Sequence, residues 1–141
     1  MTLSALVPTA EAAAPGCRIL LVEDNAVNRI IATRLLEKHG HQVIAVENGA
    51  LAVDATAGEH FDLVLMDVQM PVMDGLTATA HIRTREHTTG VHLPIIAVTA
   101  HAMDQDRQRC LAAGMDDHLP KPIRSTDLFA TVARFAATAA T

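Results

Sequence analysis

The feature that most constrains the fold of this chain is its alternation between short apolar runs and longer helix-like segments. The run Leu63-Val64-Leu65-Met66 shows the strand pattern, since it is apolar throughout and ends at Asp67, where turn residues follow. Similar runs lie at residues 19–23, 42–46, 94–98 and 118–120. Strands that alternate with helices form a parallel sheet with helices on both faces. We therefore predict an α/β domain with a five-stranded parallel sheet.

Helix signals fill the intervals between these runs. The predicted helices span residues 26–39, 49–57, 75–85 and 104–113, and a last helix begins at residue 125. Asn25, Asn48 and Asp74 precede three of these helices, and their side chains are suited to capping a first helical turn.

The first helix and the loop after the third helix each carry a specific prediction. Val27, Ile31 and Leu35 recur at helical spacing, so we predict that they form the buried stripe of the first helix. Residues 86–93 are polar and include Gly90, so we predict a loop there.

Polar side chains follow the apolar runs where the predicted strands end. These residues are Glu23, Asp24, Asp67, Thr99 and Lys121. Because ligands bind outside the carboxyl ends of parallel strands, we expect them to surround one pocket. Two carboxylates about 4 Å apart repel by roughly 4 kcal/mol at an effective dielectric of 20, so a folded protein keeps the cluster only if a cation, a proton or a lysine offsets it. A site built of hard oxygen ligands suits Mg²⁺ better than zinc or copper.

The motifs around this pocket resemble those of a known family. In chain order they are Glu23-Asp24-Asn25, Asn28, Asn48-Gly49, Leu65-Met66-Asp67, Met70-Pro71, Met73-Asp74-Gly75, residues 94–100, Ala113-Gly114 and Lys121-Pro122. They cover roughly residues 17–137. The chain resembles the receiver domain of two-component response regulators, most closely the receivers attached to hybrid histidine kinases. The resemblance implies a flavodoxin-like fold with strand order 2-1-3-4-5.

The resemblance also implies a role for each residue of the pocket. In the family, an aspartate at the position of Asp67 accepts a phosphoryl group from a phosphohistidine on a histidine kinase or a histidine phosphotransfer domain. The implied Mg²⁺ ligands are Glu23, Asp24, Asp67 and the backbone carbonyl of Gln69. Thr99 and Lys121 are implied to contact the phosphoryl group. The expected activity is therefore that of a phosphoacceptor signalling domain, which catalyses only its own phosphorylation and dephosphorylation.

Phosphorylation in this family alters the face built from the fourth helix, the fifth strand and the fifth helix, and phosphorylated receivers often form homodimers. Thr99 would move towards the phosphoryl group, and the aromatic residue three positions before the lysine would follow. Here that residue is His118, which we interpret as a ring filling the same groove. A sharper hypothesis is that protonation of His118 between about pH 5 and pH 8 biases the switch. Gln69 and His101 occupy the positions that tune phosphoryl lifetime.

Composition limits the other functions open to the chain. A net charge of -5 in 141 residues argues against binding to nucleic acid or to an anionic membrane. No apolar stretch approaches the length of a membrane span, and the first residues lack the basic start of a signal peptide. Cys17 and Cys110 are expected to be reduced thiols of a cytoplasmic protein. We expect a flexible tail or linker at residues 1–16 and one receiver domain at 17–141.

Two other interpretations stay open. A degenerate receiver would act only as a docking module and would not accept a phosphoryl group. A phosphatase of the haloacid dehalogenase type also forms an aspartyl phosphate with Mg²⁺, but it needs a second aspartate where this chain has Gln69. The same glutamine breaks the Asp-x-Asp pattern of Toprim-type nucleic-acid enzymes. Phosphorylation of Asp67 would separate a working receiver from a docking module.

Overall fold

A computed structural model describes residues 16–68, 73–100, 104–121 and 123–140. The strands are β1 (Arg18–Val22), β2 (Gln42–Val46), β3 (Leu63–Asp67), β4 (Ile95–Thr99) and β5 (Asp117–Pro120). The helices are α1 (Ala26–Lys38), α2 (Gly49–Gly58), α3 (Gly75–Thr89), α4 (Asp104–Ala112) and α5 (Ser125–Ala140). Apart from Gly16, the predicted tail at residues 1–16 lies outside the described residues.

The strands form a parallel five-stranded sheet in the order β2-β1-β3-β4-β5. Val22 pairs with Met66, and Asp67 pairs with Val98. The carboxyl ends of the three central strands, β1, β3 and β4, therefore lie side by side at the same end of the sheet. The predicted fold class and strand order are confirmed.

Each face of the sheet buries its own apolar layer, because successive side chains of a strand point to opposite faces. Leu63 and Leu65 of β3 pack in a layer with side chains of α1 and α5. Val64 and Met66 of the same strand pack in a layer with side chains of α2, α3 and α4. The sheet is thus covered by helices on both sides, and residue 67 comes next in a fully buried strand.

The predicted buried stripe of α1 is wrong. Val27 is 63% exposed and Ile31 is 53% exposed, and Leu35 is only partly buried. The helix instead buries Ala32 and Leu36 against the sheet. Apolar residues occupy more than one side of this helix, so spacing alone does not decide which side packs. The small Ala32 side chain lets the helix approach the sheet closely while Leu36 fills the core.

The predicted loop at residues 86–93 is also wrong over its first half. Helix α3 continues to Thr89 and ends at Gly90, whose φ of 73° is the left-handed conformation that glycine adopts readily. Glu86 stays in the helix because its carboxylate accepts hydrogen bonds from Arg83 at 2.8 Å and from the Leu93 N–H at 2.7 Å. The polar residues here therefore have local partners. The predicted caps Asn25, Asn48 and Asp74 are confirmed, since each accepts a backbone N–H of its helix.

Candidate functional site

Asp67 is the last residue of β3 and is only 2% exposed. The chain turns directly after it, and the Gly75 N–H donates to the Val68 carbonyl at 3.0 Å. A β-carbon on Gly75 would lie 2.4 Å from the Asp67 carbonyl oxygen, which is closer than real atoms approach. Glycine is therefore required where the start of α3 packs against the backbone that carries Asp67.

Two further acids lie beside Asp67, as predicted. Glu23 is buried and Asp24 is exposed, and both follow the end of the neighbouring strand β1. One carboxylate oxygen from each of Glu23, Asp24 and Asp67 lies within 4.8 Å of the other two. Among the described residues, this cluster is the group of acids and histidines whose geometry would hold a metal ion.

Lys121 contacts two of the three acids. Its ammonium nitrogen lies 2.7 Å from Oδ2 of Asp67 and 3.3 Å from Oε1 of Glu23. Burial opposes the charge of Lys121, but the hydrogen bond and charge of Asp67, followed by those of Glu23, raise its pKa above the ordinary value of 10.5. The lysine is therefore charged at neutral pH and offsets part of the acidic cluster.

The pKa of Glu23 is raised in the folded protein, mainly because its carboxyl group is buried. Burial raises the pKa of Glu23, the Asn25 N–H bonded to its carboxylate at 3.1 Å opposes that rise, and the charge of Asp67 adds to it. A raised pKa means that the folded protein resists holding Glu23 as a carboxylate. A divalent cation bound among these oxygens would remove that resistance. The donor set, which consists of carboxylate oxygens, fits Mg²⁺.

Arg29 is a contributor to the site that sequence reasoning missed. Its Nη1 donates hydrogen bonds to the backbone carbonyls of Glu23 at 2.8 Å and Asp24 at 3.1 Å. The available signal was the position of the arginine near the start of α1, where the helix dipole disfavours a cation. Asn25, which follows the two acids, caps the same helix by accepting the Asn28 N–H at 3.0 Å.

The structure places the remaining predicted residues as follows. Thr99 ends β4, is buried, and accepts the Lys121 N–H on its carbonyl at 2.9 Å. His118 lies further back in β5, where it pairs with Ala97. Its ring atom Nδ1 is buried and has no hydrogen-bond partner in the part of the chain that the structure describes. The other two residues of the prediction, Gln69 and His101, lie outside the described residues.

Comparison with known proteins decides the family. The model of the response regulator receiver domain matches residues 19–133, which is most of the chain. The chain belongs to the response regulator receiver domain family. The site just described therefore belongs to a receiver domain of two-component phosphorelay signalling, and the predicted family and signalling class are confirmed.

Curated relatives of this receiver domain include a sensor protein and a histidine kinase. It is 49% identical over 119 residues to the sensor protein GacS of Pseudomonas syringae pv. syringae, an alignment that covers 84% of this chain and 13% of that protein. It is 41% identical over 150 residues to histidine kinase 1 of Arabidopsis thaliana, covering 83% of this chain and 12% of that protein. The receiver domain thus spans a small part of the length of these relatives.

Solved structures agree with this assignment. The receiver domain of a sensor histidine kinase of Pseudomonas aeruginosa PAO1, solved with magnesium coordinated in its active-site cleft, is 41% identical with a TM-score of 0.79. That match covers 86% of this chain and 98% of the other. A Saccharomyces cerevisiae receiver domain, solved in complex with a histidine phosphotransfer protein, is 30% identical with a TM-score of 0.85 and covers 90% of this chain and 93% of that chain.

The described residues contain no helix that is long and apolar enough to cross a membrane. Cys17 and Cys110 are both buried, and they form no disulfide within the described part of the chain. The cytoplasmic location remains a prediction.

Proposed function

We propose that this receiver domain accepts a phosphoryl group on Asp67 from a phosphohistidine of another protein or domain. The observation that carries the proposal is the convergence of three carboxyl groups beside a charged lysine. Their oxygens lie within 4.8 Å of one another, and Lys121 donates to Asp67 at 2.7 Å. A buried acceptor next to a cation site and an ammonium group is what phosphoryl transfer to a carboxylate requires.

Glu23, Asp24 and Asp67 are the proposed side-chain ligands of Mg²⁺. The backbone carbonyl of Gln69, outside the described residues, is the fourth proposed ligand. When bound, the ion neutralises charge on the carboxylates and on the incoming phosphoryl oxygens. The magnesium ion in the Pseudomonas aeruginosa receiver supports this assignment.

Asp67 supplies the nucleophile of the proposed reaction. One of its carboxylate oxygens forms a bond to phosphorus while the bond from phosphorus to the donor histidine nitrogen breaks. The electron pair of the broken bond leaves with the imidazole. Lys121 and the Thr99 hydroxyl are proposed to donate hydrogen bonds to the transferred phosphoryl oxygens.

The proposed phosphodonor is a histidine phosphotransfer domain or a histidine kinase that docks on α1. Val27, Ile30 and Ile31 form an exposed apolar patch on the first two turns of this helix. A mainly apolar cleft of about 510 Å³ between α1 and α5 adjoins the patch and reaches Glu23 and Lys121. An apolar surface that leads to the acceptor suits a helical partner that must bring its histidine to Asp67. The solved yeast complex of a receiver with a phosphotransfer protein supports this choice of partner.

Phosphorylation would add about -1.5 to -2 charges at Asp67 and shift a pre-existing equilibrium between two conformations. The proposed response is a movement of Thr99 towards the phosphoryl group, followed by His118. The face formed by α4, β5 and α5, where Arg134 pairs with Asp117, would then change and bind a partner or a second receiver. The proposed roles of Gln69 and His101 are to tune phosphoryl lifetime.

The titration hypothesis for His118 has its own test. If protonation of the ring biases the switch, the population of the active state changes between about pH 5 and pH 8 in protein phosphorylated to a constant extent. An unchanged population, followed by nuclear magnetic resonance, would leave His118 as a ring that only fills its groove.

The function is tested by measuring intact mass after incubation with Mg²⁺ and acetyl phosphate. We expect one added phosphoryl group on the parent protein and none on Asp67→Asn. Asp54→Asn is the matched control, because Asp54 is exposed on α2 and should leave labelling unchanged. Equal labelling of the parent and Asp67→Asn would show that the acceptor is another residue.

The same measurement separates the alternatives. A docking module gains no mass from acetyl phosphate or from a phosphorylated histidine phosphotransfer protein, although it still binds that protein. A phosphatase releases inorganic phosphate with multiple turnovers from phosphate monoesters, which a receiver does not. The position of Gln69 argues against the phosphatase.

A further inference from the structure

Arg29 lies in an electrostatically unfavourable place for a cation. It is the fourth residue of α1, and the positive end of the helix dipole is at this terminus. The dipole disfavours a cation there, and specific acceptors can offset that field. The structure supplies such acceptors in the loop between β1 and α1.

Both acceptors belong to the residues that carry the proposed magnesium ligands. The Nη1 atom of Arg29 donates to the Glu23 carbonyl at 2.8 Å and to the Asp24 carbonyl at 3.1 Å. On the other side of the same turn, the Glu23 carboxylate accepts the Asn25 N–H at 3.1 Å. The two peptide units are therefore held by the arginine while the side chain of Glu23 is turned into the pocket.

We infer that Arg29 is a positioning residue that holds Glu23 and Asp24 in the arrangement that binds Mg²⁺. This inference rests on the proposed function, because it concerns the same metal site. Arg29 binds main-chain oxygens, so it does not occupy the carboxylate oxygens that the ion needs.

Arg29 also links helix α1 to the loop that carries the acids. Arg29 extends from α1, the helix that carries the exposed patch of Val27, Ile30 and Ile31, to the loop that carries the acids. Without its two hydrogen bonds, the peptide units of Glu23 and Asp24 lose a restraint on their rotation. The carboxylates then spend less time within reach of one ion.

The test is calorimetric titration of Mg²⁺ into the full chain and three variants. Arg29→Ala removes the donor, and Arg29→Lys keeps the charge but replaces the planar guanidinium with a single ammonium group. Arg34→Ala is the matched control, because Arg34 is an exposed arginine on the same helix. We expect Arg29→Ala to weaken Mg²⁺ affinity about 10-fold, as is usual when a group that orients metal ligands is lost. Arg29→Lys should recover part of that loss, and Arg34→Ala should match the parent.

Unfolding temperature without Mg²⁺ separates a positioning role from a merely structural one. If the Arg29→Ala protein has a lower melting temperature than the parent but binds Mg²⁺ with an affinity within about twofold of the parent, the inference is overturned. If Arg29→Ala does not fold, Arg29→Lys decides: weaker Mg²⁺ binding at an unchanged melting temperature supports the inference, and unchanged binding overturns it. A parent protein that does not bind Mg²⁺ would instead contradict the proposed function, whatever the variants do.

Discussion

Lys121 lies between two buried carboxylates, with its ammonium nitrogen 2.7 Å from Asp67 and 3.3 Å from Glu23. Removing that charge in Lys121→Met leaves both acids buried without it. We expect the free energy of unfolding at pH 7 to fall by about 2 kcal/mol, below the usual cost of breaking a fully buried pair because Lys121 retains some exposure. Denaturant unfolding measures this change.

Lys38→Met provides the control, since Lys38 is exposed at the end of α1. The pKa of Lys121 is raised above 10.5, so its contribution to stability is present at neutral pH and is lost as the pH rises through the folded value. The difference between parent and variant should therefore persist from pH 7 to pH 10. Equal stability of Lys121→Met and Lys38→Met at pH 7 would contradict the prediction.

From the exposed patch on α1 we predict that a substitution there slows phosphoryl transfer from a protein donor but not from a small-molecule donor. Ile31→Ser should lower the rate of transfer from a phosphorylated histidine phosphotransfer protein by about 10-fold, since burying an isoleucine side chain against a partner contributes about 1.5–3 kcal/mol. Labelling by acetyl phosphate should not change. Leu111→Ser is the control, because Leu111 is 45% exposed on α4.

Rates of both reactions are followed by intact mass after mixing. Equal slowing with both donors would mean that Ile31→Ser damages the acceptor site. If instead Leu111→Ser slows transfer only from the phosphotransfer protein, the surface that binds this donor includes α4.

His41 predicts a pH dependence of stability that is separate from the acidic site. Burial, followed by the charge of His39, lowers the pKa of His41 below 6.5, and its Nδ1 accepts the Cys17 N–H at 3.0 Å. The folded protein thus favours the unprotonated ring. Its stabilising contribution is full above pH 6.5 and is lost as the pH falls through the folded pKa.

We therefore expect stability to fall by about 1 kcal/mol more between pH 7 and pH 5 in the parent than in His41→Gln, which does not titrate. Denaturant unfolding at several pH values measures this slope. His87→Gln, at an exposed position on α3, should keep the parent slope. If His41→Gln also keeps it, His41 is not the group that titrates.

Arg83 of α3 connects this helix to the segments that precede β4 and β5. These contacts lie at the amino ends of the strands, away from the acidic site at their carboxyl ends. Its guanidinium bonds the Gly114 and Leu93 carbonyls at 2.8 Å and pairs with Glu86 and Asp116 at 2.8 Å. Arg83→Ala should lower the free energy of unfolding by about 3 kcal/mol, because two partly buried acids lose the arginine that neutralises their charge. The extent of phosphorylation by acetyl phosphate should not change.

Arg107→Ala is the matched control for this prediction, since Arg107 is exposed on α4. Thermal and denaturant unfolding of both variants provide the comparison. A loss of stability no larger than that of Arg107→Ala would show that the network around Arg83 contributes little.

The elements of the sheet could be predicted from sequence because a buried parallel strand leaves a plain signal. The apolar run before Asp67 has few alternative structures, and strand ends meet at one edge once the sheet is parallel. The side of α1 that packs inward could not be predicted, since Ile31 and Leu36 are both apolar. Which of the two is buried depends on how the helix packs against the sheet. The length of α3 depends on Glu86, whose carboxylate accepts hydrogen bonds from Arg83 and from the Leu93 N–H beyond the helix, and these contacts form only in the folded chain.

The candidate site was predictable for its charged side chains and not for its backbone contacts. Glu23, Asp24 and Lys121 are charged residues at strand ends, and their convergence follows from topology. The hydrogen bonds of Arg29 go to carbonyl oxygens, which every residue possesses, so no residue type marks their position.

The close contact of Gly75 with the Asp67 backbone sets a limit on how this chain tolerates mutation. A single added methyl group would meet the Asp67 carbonyl oxygen at 2.4 Å and push the start of α3 away from Asp67. A genetic screen for lost signalling would therefore recover Gly75 together with the acids, although it contributes no functional group. The intolerance of Gly75 to substitution would reflect the lack of space for a side chain. A study that treated every intolerant position as a chemical participant would assign Gly75 a catalytic or binding role that it does not have.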